Sequence, residues 1–201
     1  MIATIQNFLN SCATAFDLPI LDWIQANLQS DFMDKFMPFI TKFGDEGIFW
    51  IAVAIILFLF PKTRKIGLGM GFAMALGLLI CNGIMKPMIA RPRPYDFQLS
   101  EFGKAIQLLI EAESSFSFPS GHTIASFEAS VVLMKNDKRM GIPALILAIL
   151  IAFSRMYLYV HYPTDVLLSV LLGTLFAFVG DALAAKVAPK IRPRKRGRFE
   201  A

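Results

Sequence analysis

The stretch Ile66–Met85, with the sequence IGLGMGFAMALGLLICNGIM, runs for 20 residues without a formal charge. A helix that crosses a lipid bilayer needs about 20 mostly apolar residues, so this stretch is long enough to span one. Further apolar stretches are Gly47–Pro61, Met140–Ser154, Val166–Gly180 and the weaker Thr123–Met134, which contains Glu128. A soluble fold of 201 residues cannot bury all of these segments, and the sequence therefore predicts an all-α, polytopic membrane helix bundle.

The composition agrees with a membrane location. Hydrophobic residues make up 56% of the chain and charged residues 17%, whereas soluble domains average about 25% charged residues. Two cysteines, Cys12 and Cys81, exclude a disulfide-rich scaffold and a cysteine-rich zinc module. The net charge of +5 would ordinarily suggest nucleic acid as a partner. On so apolar a chain, however, the positions of the charges carry more information than their sum.

The basic residues are distributed unequally between the two ends of the predicted spans. Thirteen of the 20 lysines and arginines fall on one side, in the turns at 62–65 and 135–139 and in the segment after residue 185. The positive-inside rule places this side in the cytoplasm. With one further crossing within residues 1–45, the chain is predicted to have about six transmembrane helices and cytoplasmic termini.

The two ends of the chain carry no motif. Residues 1–45 are predicted to form an amphipathic segment and a first crossing, because Leu18–Phe43 mixes apolar side chains with five charged ones. Residues 46–188 are the expected membrane core, and residues 189–201 are the expected basic cytoplasmic tail. We expect this tail to fix the topology or to contact anionic lipid, and not to bind nucleic acid.

A small group of cations and histidines breaks the positive-inside pattern, because its members lie at the outward-facing ends of the spans. The group contains Lys86, Arg93, Arg155 and both histidines of the chain, His122 and His161. A phosphate group suits three such cations, since its oxygens accept bidentate hydrogen bonds from arginine and the point charge of lysine. The Pro-Ser-Gly string at 119–121, directly before a helix start, adds the free N–H groups of a helix N-terminus.

Two histidines beside a bound phosphate can divide the chemistry of its transfer. One attacks phosphorus as a neutral imidazole, and the other protonates the leaving oxygen. Asp165 follows His161 by four residues, which places both on one face if a helix begins there. The carboxylate is then able to hold the imidazole in the attacking tautomer.

Three strings together resemble the signature of the type-2 phosphatidic acid phosphatase superfamily. They are Lys86-Pro-Met-Ile-Ala-Arg-Pro-Arg93-Pro94, Pro119-Ser-Gly-His122, and Ser154-Arg155 followed by His161 and Asp165. They match the family pattern Lys-x6-Arg-Pro, Pro-Ser-Gly-His and Ser-Arg-x5-His-x3-Asp in full and in order. The resemblance covers residues from about 46 to 185. It leaves Arg91 outside the pattern, where an anchor at the membrane interface is the expected role and a direct contact with the substrate is the alternative.

The resemblance implies an activity and a role for each site residue. His161 would be the nucleophile that forms a phosphohistidine, Asp165 would orient it, and His122 would protonate the leaving group and later activate water. The phosphoryl oxygens would be held by Lys86, Arg93, Arg155, Ser120 and the Gly121 amide. Members of the family are metal-independent, so no metal or other cofactor is expected. The charge distribution places this site on the extracytoplasmic face of the cell membrane.

The expected substrate is a phosphate monoester or diphosphate of a lipid, whose tail stays in the bilayer. In size and layout the chain resembles small bacterial members, which act on undecaprenyl diphosphate, phosphatidylglycerol phosphate, phosphatidic acid or phosphorylated lipid A. An outward-facing site favours undecaprenyl diphosphate. Between residues 94 and 118, the spacing of Phe102, Ile106, Leu109 and Ile110 predicts a short amphipathic helix, either a lid that shapes lipid access or a simple connector.

Two alternatives to a membrane phosphatase use similar cations. A non-catalytic transporter or anion-binding protein is one, but transport requires charged groups near the midplane, where only Glu128 is expected. Glu128 is alternatively a packed, hydrogen-bonded residue of its helix. A soluble halide-oxidising relative is the second, and the apolar spans argue against it. The sequence gives no indication of the oligomeric state.

Overall fold

The computed structural model describes residues 2–191, which are mostly helical and contain no β-strand. Helix α1 (Ile2–Cys12) continues through a π-helical turn, Ala13–Asp17, into α2 (Leu18–Leu28). Helix α3 (Asp31–Thr41) is followed by a 3-10 segment, Lys42–Gly47, and then by α4 (Ile48–Leu59). The predicted all-α class is confirmed for these residues.

The remaining helices form the larger part of the bundle. Helix α5 (Arg64–Gly77) continues through a π-helical segment, Leu78–Met85, into the short α6 (Lys86–Ile89). The others are α7 (Pro94–Phe102), α8 (Gly121–Asn136), α9 (Lys138–Tyr157) and α10 (Pro163–Ile191). Most of the predicted basic tail, residues 192–201, lies outside the described residues.

The predicted amphipathic helix across Phe102–Ile110 is wrong. Helix α7 ends at Gly103, which adopts φ = +64°, and residues 103–120 form an irregular segment. The apolar side chains of the predicted helix do not share one face, because Ile106 is partly buried by tertiary packing while Phe102 and Leu109 stay exposed. Leu108 and Ile110 pack against the cluster around Tyr157 and Val160, at the end of α9.

Three helical segments within residues 2–191 are long and apolar enough to cross a membrane: Arg64–Phe102, Lys138–Tyr157 and Pro163–Pro189. The predicted runs at 47–61 and 123–134 coincide with α4 and α8, which have 12 and 16 residues. At 1.5 Å per residue these two helices are about 18 and 24 Å long, less than the roughly 30 Å of a hydrocarbon core. The described helices therefore support a membrane protein, while the count of six crossings and the amphipathic first segment stay predictions.

Small residues bring the helices of the core into close contact. A Cβ atom on Gly180 of α10 would lie 2.5 Å from the carbonyl oxygen of Gly69 in α5, and one on Gly67 would lie 2.4 Å from that of Ala54 in α4. No side chain fits at such distances, so these positions allow backbones to touch. Close approach of this kind is the usual basis of helix association in membranes.

The bundle has two chemically different ends. Near the end of α10, Asp181 pairs with Lys65 at 3.3 Å and with Lys135 at 2.8 Å, which gathers two of the basic turns at one end. The signature residues lie at the opposite ends of the same helices, because α8 begins at Gly121 and α10 begins at Pro163. The fold thus separates the basic turns from the candidate site.

Candidate active site

Two buried arginines form the centre of the site. Arg93, at the N-terminal boundary of α7, and Arg155, in the last turn of α9, are each 1% exposed. Arg93 donates from Nε to the carbonyl of Ser115 at 2.8 Å and from Nη1 to that of Val160 at 2.9 Å. Arg155 donates from Nη1 to the Thr41 hydroxyl at 2.6 Å. These bonds hold both guanidinium groups in place.

A carboxylate that sequence reasoning assigned no role lies between the two arginines. Glu113 forms an ion pair with Arg93, with Oε2 2.5 Å from Nη2, and its other oxygen pairs with Arg155. Lys86 is close by, because its Nζ donates to the Ser115 hydroxyl at 3.3 Å and the same hydroxyl accepts from Arg93 at 3.0 Å. The single carboxylate of Glu113 therefore contacts both arginines at once, and a bound phosphate is expected to contact them in the same way.

His161 lies in the short turn between α9 and α10 and is 1% exposed. Its Nε2 is 3.2 Å from Arg93 Nη1, and its Nδ1 is 3.5 Å from Asp165 Oδ2. Burial, reinforced by the nearby cations Arg93 and Arg155, lowers the pKa of His161 well below its usual range. A low pKa favours the neutral ring, and because Arg93 Nη1 is a donor, Nε2 faces it with its lone pair. Nδ1 lies on the side of Asp165 and makes no hydrogen bond to the described residues.

Asp165 is fully buried in the first turn of α10 and is held from two sides. Its Oδ2 accepts from the backbone N–H of Tyr162 at 3.1 Å, and its Oδ1 pairs with Arg91. The expectation that Arg91 is an interfacial anchor is wrong, because its side chain is buried against this carboxylate. The string between Lys86 and Arg93 gave no signal for that contact.

His122 is the second residue of α8, and its Nε2 lies 2.8 Å from Asp45 Oδ1. Asp45 sits where the 3-10 segment before α4 is interrupted, next to Glu46 at φ = +49°. The hydrogen bond from His122 lowers the pKa of the Asp45 carboxyl, which stays ionised. Gly44 backs the same ring, since a Cβ there would lie 2.7 Å from His122 Cδ2. Sequence reasoning missed both Gly44 and Asp45.

Comparison with known proteins identifies the family to which the chain belongs. Residues 66–187 match the family model described as the PAP2 superfamily. The chain belongs to this superfamily. It is 33% identical to the undecaprenyl-diphosphatase of Sulfolobus acidocaldarius, over 73% of this chain and 68% of that protein. The resemblance that the three strings indicate is thereby confirmed.

A further relative and a solved structure are also similar to the chain. Phosphatidylglycerophosphatase B of Bacillus subtilis is 32% identical, over 80% of this chain and 79% of that one. The crystal structure of a transmembrane PAP2 type phosphatidylglycerolphosphate phosphatase from Bacillus subtilis superimposes with a TM-score of 0.64. It is 28% identical in sequence and covers 92% of this chain and 96% of that one. The bundle is therefore a PAP2 membrane phosphatase fold.

In this PAP2 protein, Ser120 serves the helix that carries His122. Its hydroxyl is fully buried and accepts from the backbone N–H and the hydroxyl of Thr123, at 3.5 and 3.0 Å. Its own N–H donates to the Ser169 hydroxyl at 2.8 Å. These are the bonds of an N-cap residue, and direct contact between Ser120 and phosphate stays a prediction. Gly121 lines the cleft that holds the site.

This cleft has a volume of about 1800 Å³ and two different walls. Its polar end is lined by Lys86, Glu113, His122, Arg155 and His161. From there it continues along apolar side chains of α4, of α5 and of the π-helical segment that follows α5, which are Ile51, Ile55, Phe58, Phe72 and Leu78. Glu128 also lines the cleft and is 1% exposed. Its carboxylate packs against Gly77 and occupies the space that a Cβ on this residue would need. The polar end of the cleft is suited to a charged headgroup, and its apolar part is suited to a long apolar tail.

Proposed function

We propose that the protein is a metal-independent lipid phosphatase that hydrolyses a phosphate monoester or diphosphate of a lipid. The observation that carries this proposal is the position of His161, whose Nε2 lies 3.2 Å from the Arg93 guanidinium in a cleft with an apolar wall. A nucleophile, a phosphate cradle and a surface for a lipid tail therefore occur together. The charge that a metal would neutralise on the phosphoryl group is neutralised here by Lys86, Arg93 and Arg155.

The first step is phosphoryl transfer to the protein. The phosphoryl group takes the place of the Glu113 carboxylate between Arg93 and Arg155. Its phosphorus is attacked by the Nε2 lone pair of His161, so an N–P bond forms while the P–O bond to the leaving group breaks. His122 gives its proton to the departing oxygen, and the lipid leaves as an alcohol or a monophosphate. Asp165 faces the positive charge that develops on the His161 ring.

The second step releases phosphate. His122, now neutral, removes a proton from a water molecule, whose oxygen attacks the phosphorus of the phosphohistidine. The N–P bond breaks and its electron pair returns to Nε2. Inorganic phosphate leaves, and both histidines are back in their starting states. Asp45 supports His122 in both steps, because its 2.8 Å hydrogen bond keeps the ring in one orientation.

Undecaprenyl diphosphate is the substrate that we favour. The similar protein from Sulfolobus acidocaldarius is named undecaprenyl-diphosphatase, and a site on the outer face suits a carrier lipid that must be recycled there. Phosphatidylglycerol phosphate, phosphatidic acid and lipid A phosphate are the other candidates, and one relative is named phosphatidylglycerophosphatase B. The apolar wall of the cleft accommodates the tail of any of these lipids.

We infer that the site faces the extracytoplasmic side of the cell membrane and that the termini are cytoplasmic. This inference is supported by the basic turns that Asp181 gathers at the other end of the bundle through Lys65 and Lys135. Basic residues that flank membrane spans are enriched on the cytoplasmic side. The signature residues are at the opposite end and therefore on the outer side.

The proposal is tested with purified full-length protein and a His161→Ala variant in detergent, with a chelator present. Release of phosphate is measured from undecaprenyl diphosphate, phosphatidylglycerol phosphate, phosphatidic acid and lipid A phosphate. We expect hydrolysis of at least one lipid by the wild type and none by the variant. Activity that survives in the variant overturns the nucleophile. A wild type that hydrolyses no lipid phosphate favours a non-catalytic anion-binding or transport protein instead.

A further inference from the structure

Behind the His161–Asp165 pair lies a second layer of buried charge that the signature does not include. We propose that Arg91 and Asp17 are positioning residues, which hold Asp165 in the orientation that aligns His161 for attack. The inference rests on the proposed function, because it concerns the nucleophile of that reaction. It makes the N-terminal helices, which carry no motif, part of the catalytic unit.

Arg91 is held by bonds from both of its terminal guanidinium nitrogens, whereas its Nε has no hydrogen-bond partner among the described residues. It is 2% exposed, and its Nη1 pairs with Asp165 and donates to the Thr164 hydroxyl at 2.9 Å. Its Nη2 donates to Asp17 Oδ2 at 2.8 Å and to the carbonyl of Leu9 at 3.1 Å. The guanidinium carbon also lies 3.6 Å from the centre of the Tyr162 ring. A side chain with this many partners has one position and imposes it on the carboxylates that it binds.

Asp17 connects this arginine to the start of α10. It is fully buried, at the end of the π-helical turn between α1 and α2. Its Oδ1 accepts from the backbone N–H of Thr164 at 2.9 Å, and its Oδ2 accepts from the Thr164 hydroxyl at 2.7 Å. Asp17 therefore binds an N–H group in the first turn of α10 that would otherwise lack a partner. The residue that carries this N–H, Thr164, directly precedes Asp165.

The two oxygens of Asp165 have separate partners, and this separation sets the geometry at His161. Oδ1 pairs with Arg91. Oδ2 accepts the hydrogen bond of the Tyr162 N–H and is the oxygen that faces His161 Nδ1. Removing the guanidinium would leave two buried carboxylates, Asp17 and Asp165, without their shared countercharge. We expect Asp165 then to turn or to repack, and the imidazole to lose its alignment.

Phosphate binding should not depend on this network. Among the described residues, the side-chain bonds of Arg91 go to Asp165, Thr164, Asp17 and Leu9, and none goes to the cations that hold the phosphate. A loss of Arg91 should therefore slow the chemical step and leave the affinity for phosphate intact. A merely structural role would weaken both together.

The experiment compares Arg91→Gln, Asp17→Asn and Arg91→Lys with the wild type, and uses Arg139→Gln as a matched control. Arg139 is exposed at the other end of the bundle. We expect kcat to fall about 10- to 100-fold in Arg91→Gln and in Asp17→Asn, the size of effect that a displaced catalytic group produces. The KM for lipid and the inhibition constant of inorganic phosphate should stay within about twofold of the wild type. Arg91→Lys keeps the charge and should recover part of kcat.

A coupling test separates positioning from general damage. Arg91→Gln combined with Asp165→Asn should be no slower than Asp165→Asn alone, because both changes remove the same alignment. Additive losses, or an Arg91→Gln variant with wild-type kcat, overturn the inference. If Arg91→Gln does not fold, the nearly isosteric Asp17→Asn decides in its place. A wild type without activity on any lipid phosphate overturns the proposed function itself, and the two failures are therefore distinguishable.

Discussion

The carboxylate of Glu113 lies 2.5 Å from the guanidinium of Arg93, inside the pocket that is proposed to bind phosphate. The same carboxylate pairs with Arg155, so it bridges the two arginines. A phosphate that binds these arginines must displace Glu113. The observed affinity for phosphate therefore depends on how much more strongly phosphate binds the two arginines than the Glu113 carboxylate does. Competition from Glu113 lowers this affinity.

Glu113→Gln should bind phosphate more tightly than the wild type. A hydrogen bond to a charged group contributes about 1.5–3 kcal/mol, so the loss of this competitor should lower the inhibition constant of inorganic phosphate by about 10-fold or more. Glu111→Gln is the matched control, since Glu111 is an exposed carboxylate of the same segment. Equal inhibition constants for all three proteins would contradict the competition.

The pH dependence should reflect the lowered pKa of His161. An ordinary histidine, with a pKa of about 6.5, gains a proton between pH 7 and 6 and would stop acting as a nucleophile. Because burial lowers the pKa of His161 well below this range, it stays neutral as the pH falls through this window. We expect kcat/KM at pH 6 to stay within about twofold of its value at pH 7. An acid limb with a midpoint near 6.5 would contradict the neutral nucleophile.

Gly44→Ala should displace the proposed general acid. The new Cβ would lie 2.7 Å from His122 Cδ2 and 3.0 Å from Ile151 Cγ2, so the ring has to shift away from Asp45. A shift of about 1 Å in a catalytic group can lower the rate about 100-fold, and we expect kcat to fall with little change in KM. Gly83→Ala is the control, since its Cβ would meet only the Leu78 carbonyl at 3.7 Å. Steady-state kinetics on both variants give the comparison.

Gly71→Phe should narrow the apolar part of the cleft. Gly71 lines the cleft, and a Cβ there would have no atom within 4 Å, so a side chain can leave the backbone of α5 at this position without a clash at its first atom. We expect KM for a long-chain lipid phosphate to rise about 10-fold, while hydrolysis of p-nitrophenyl phosphate is unchanged. Leu171→Phe enlarges an exposed side chain of α10 outside the cleft and should change neither. If the hydrolysis of both substrates fell to the same extent, the lipid tail would not bind along this part of the cleft.

A cysteine in place of Lys104 tests the orientation. Lys104 is exposed in the segment next to the site, where it pairs with Asp22 at 2.9 Å. In a background in which Cys12 and Cys81 are replaced, an impermeant maleimide should label this cysteine in intact cells. Labelling only after lysis would place the site in the cytoplasm.

Much of this protein can be predicted from its sequence, because some properties depend only on local composition. The apolar run Ile66–Met85 predicts a membrane helix from the free energy of transferring its side chains, and the described helices agree. The signature strings likewise name His122, His161 and Asp165, which carry the proposed chemistry. The prediction of an amphipathic helix around Ile106 is wrong, since Ile106 packs against distant residues while Leu109 stays exposed, and the local spacing does not reveal this.

Only the tertiary structure identified the partners of these residues. Asp45 meets His122 from 77 positions away, Asp17 meets Arg91 from 74, and Glu113 meets Arg155 from 42. No local pattern encodes such pairs, because each depends on where helix packing brings two distant side chains. The sequence by itself determined the membrane bundle and the reacting groups. Helix packing decided which carboxylate faces each cation and each histidine, because a buried charge must find its counterpart in space.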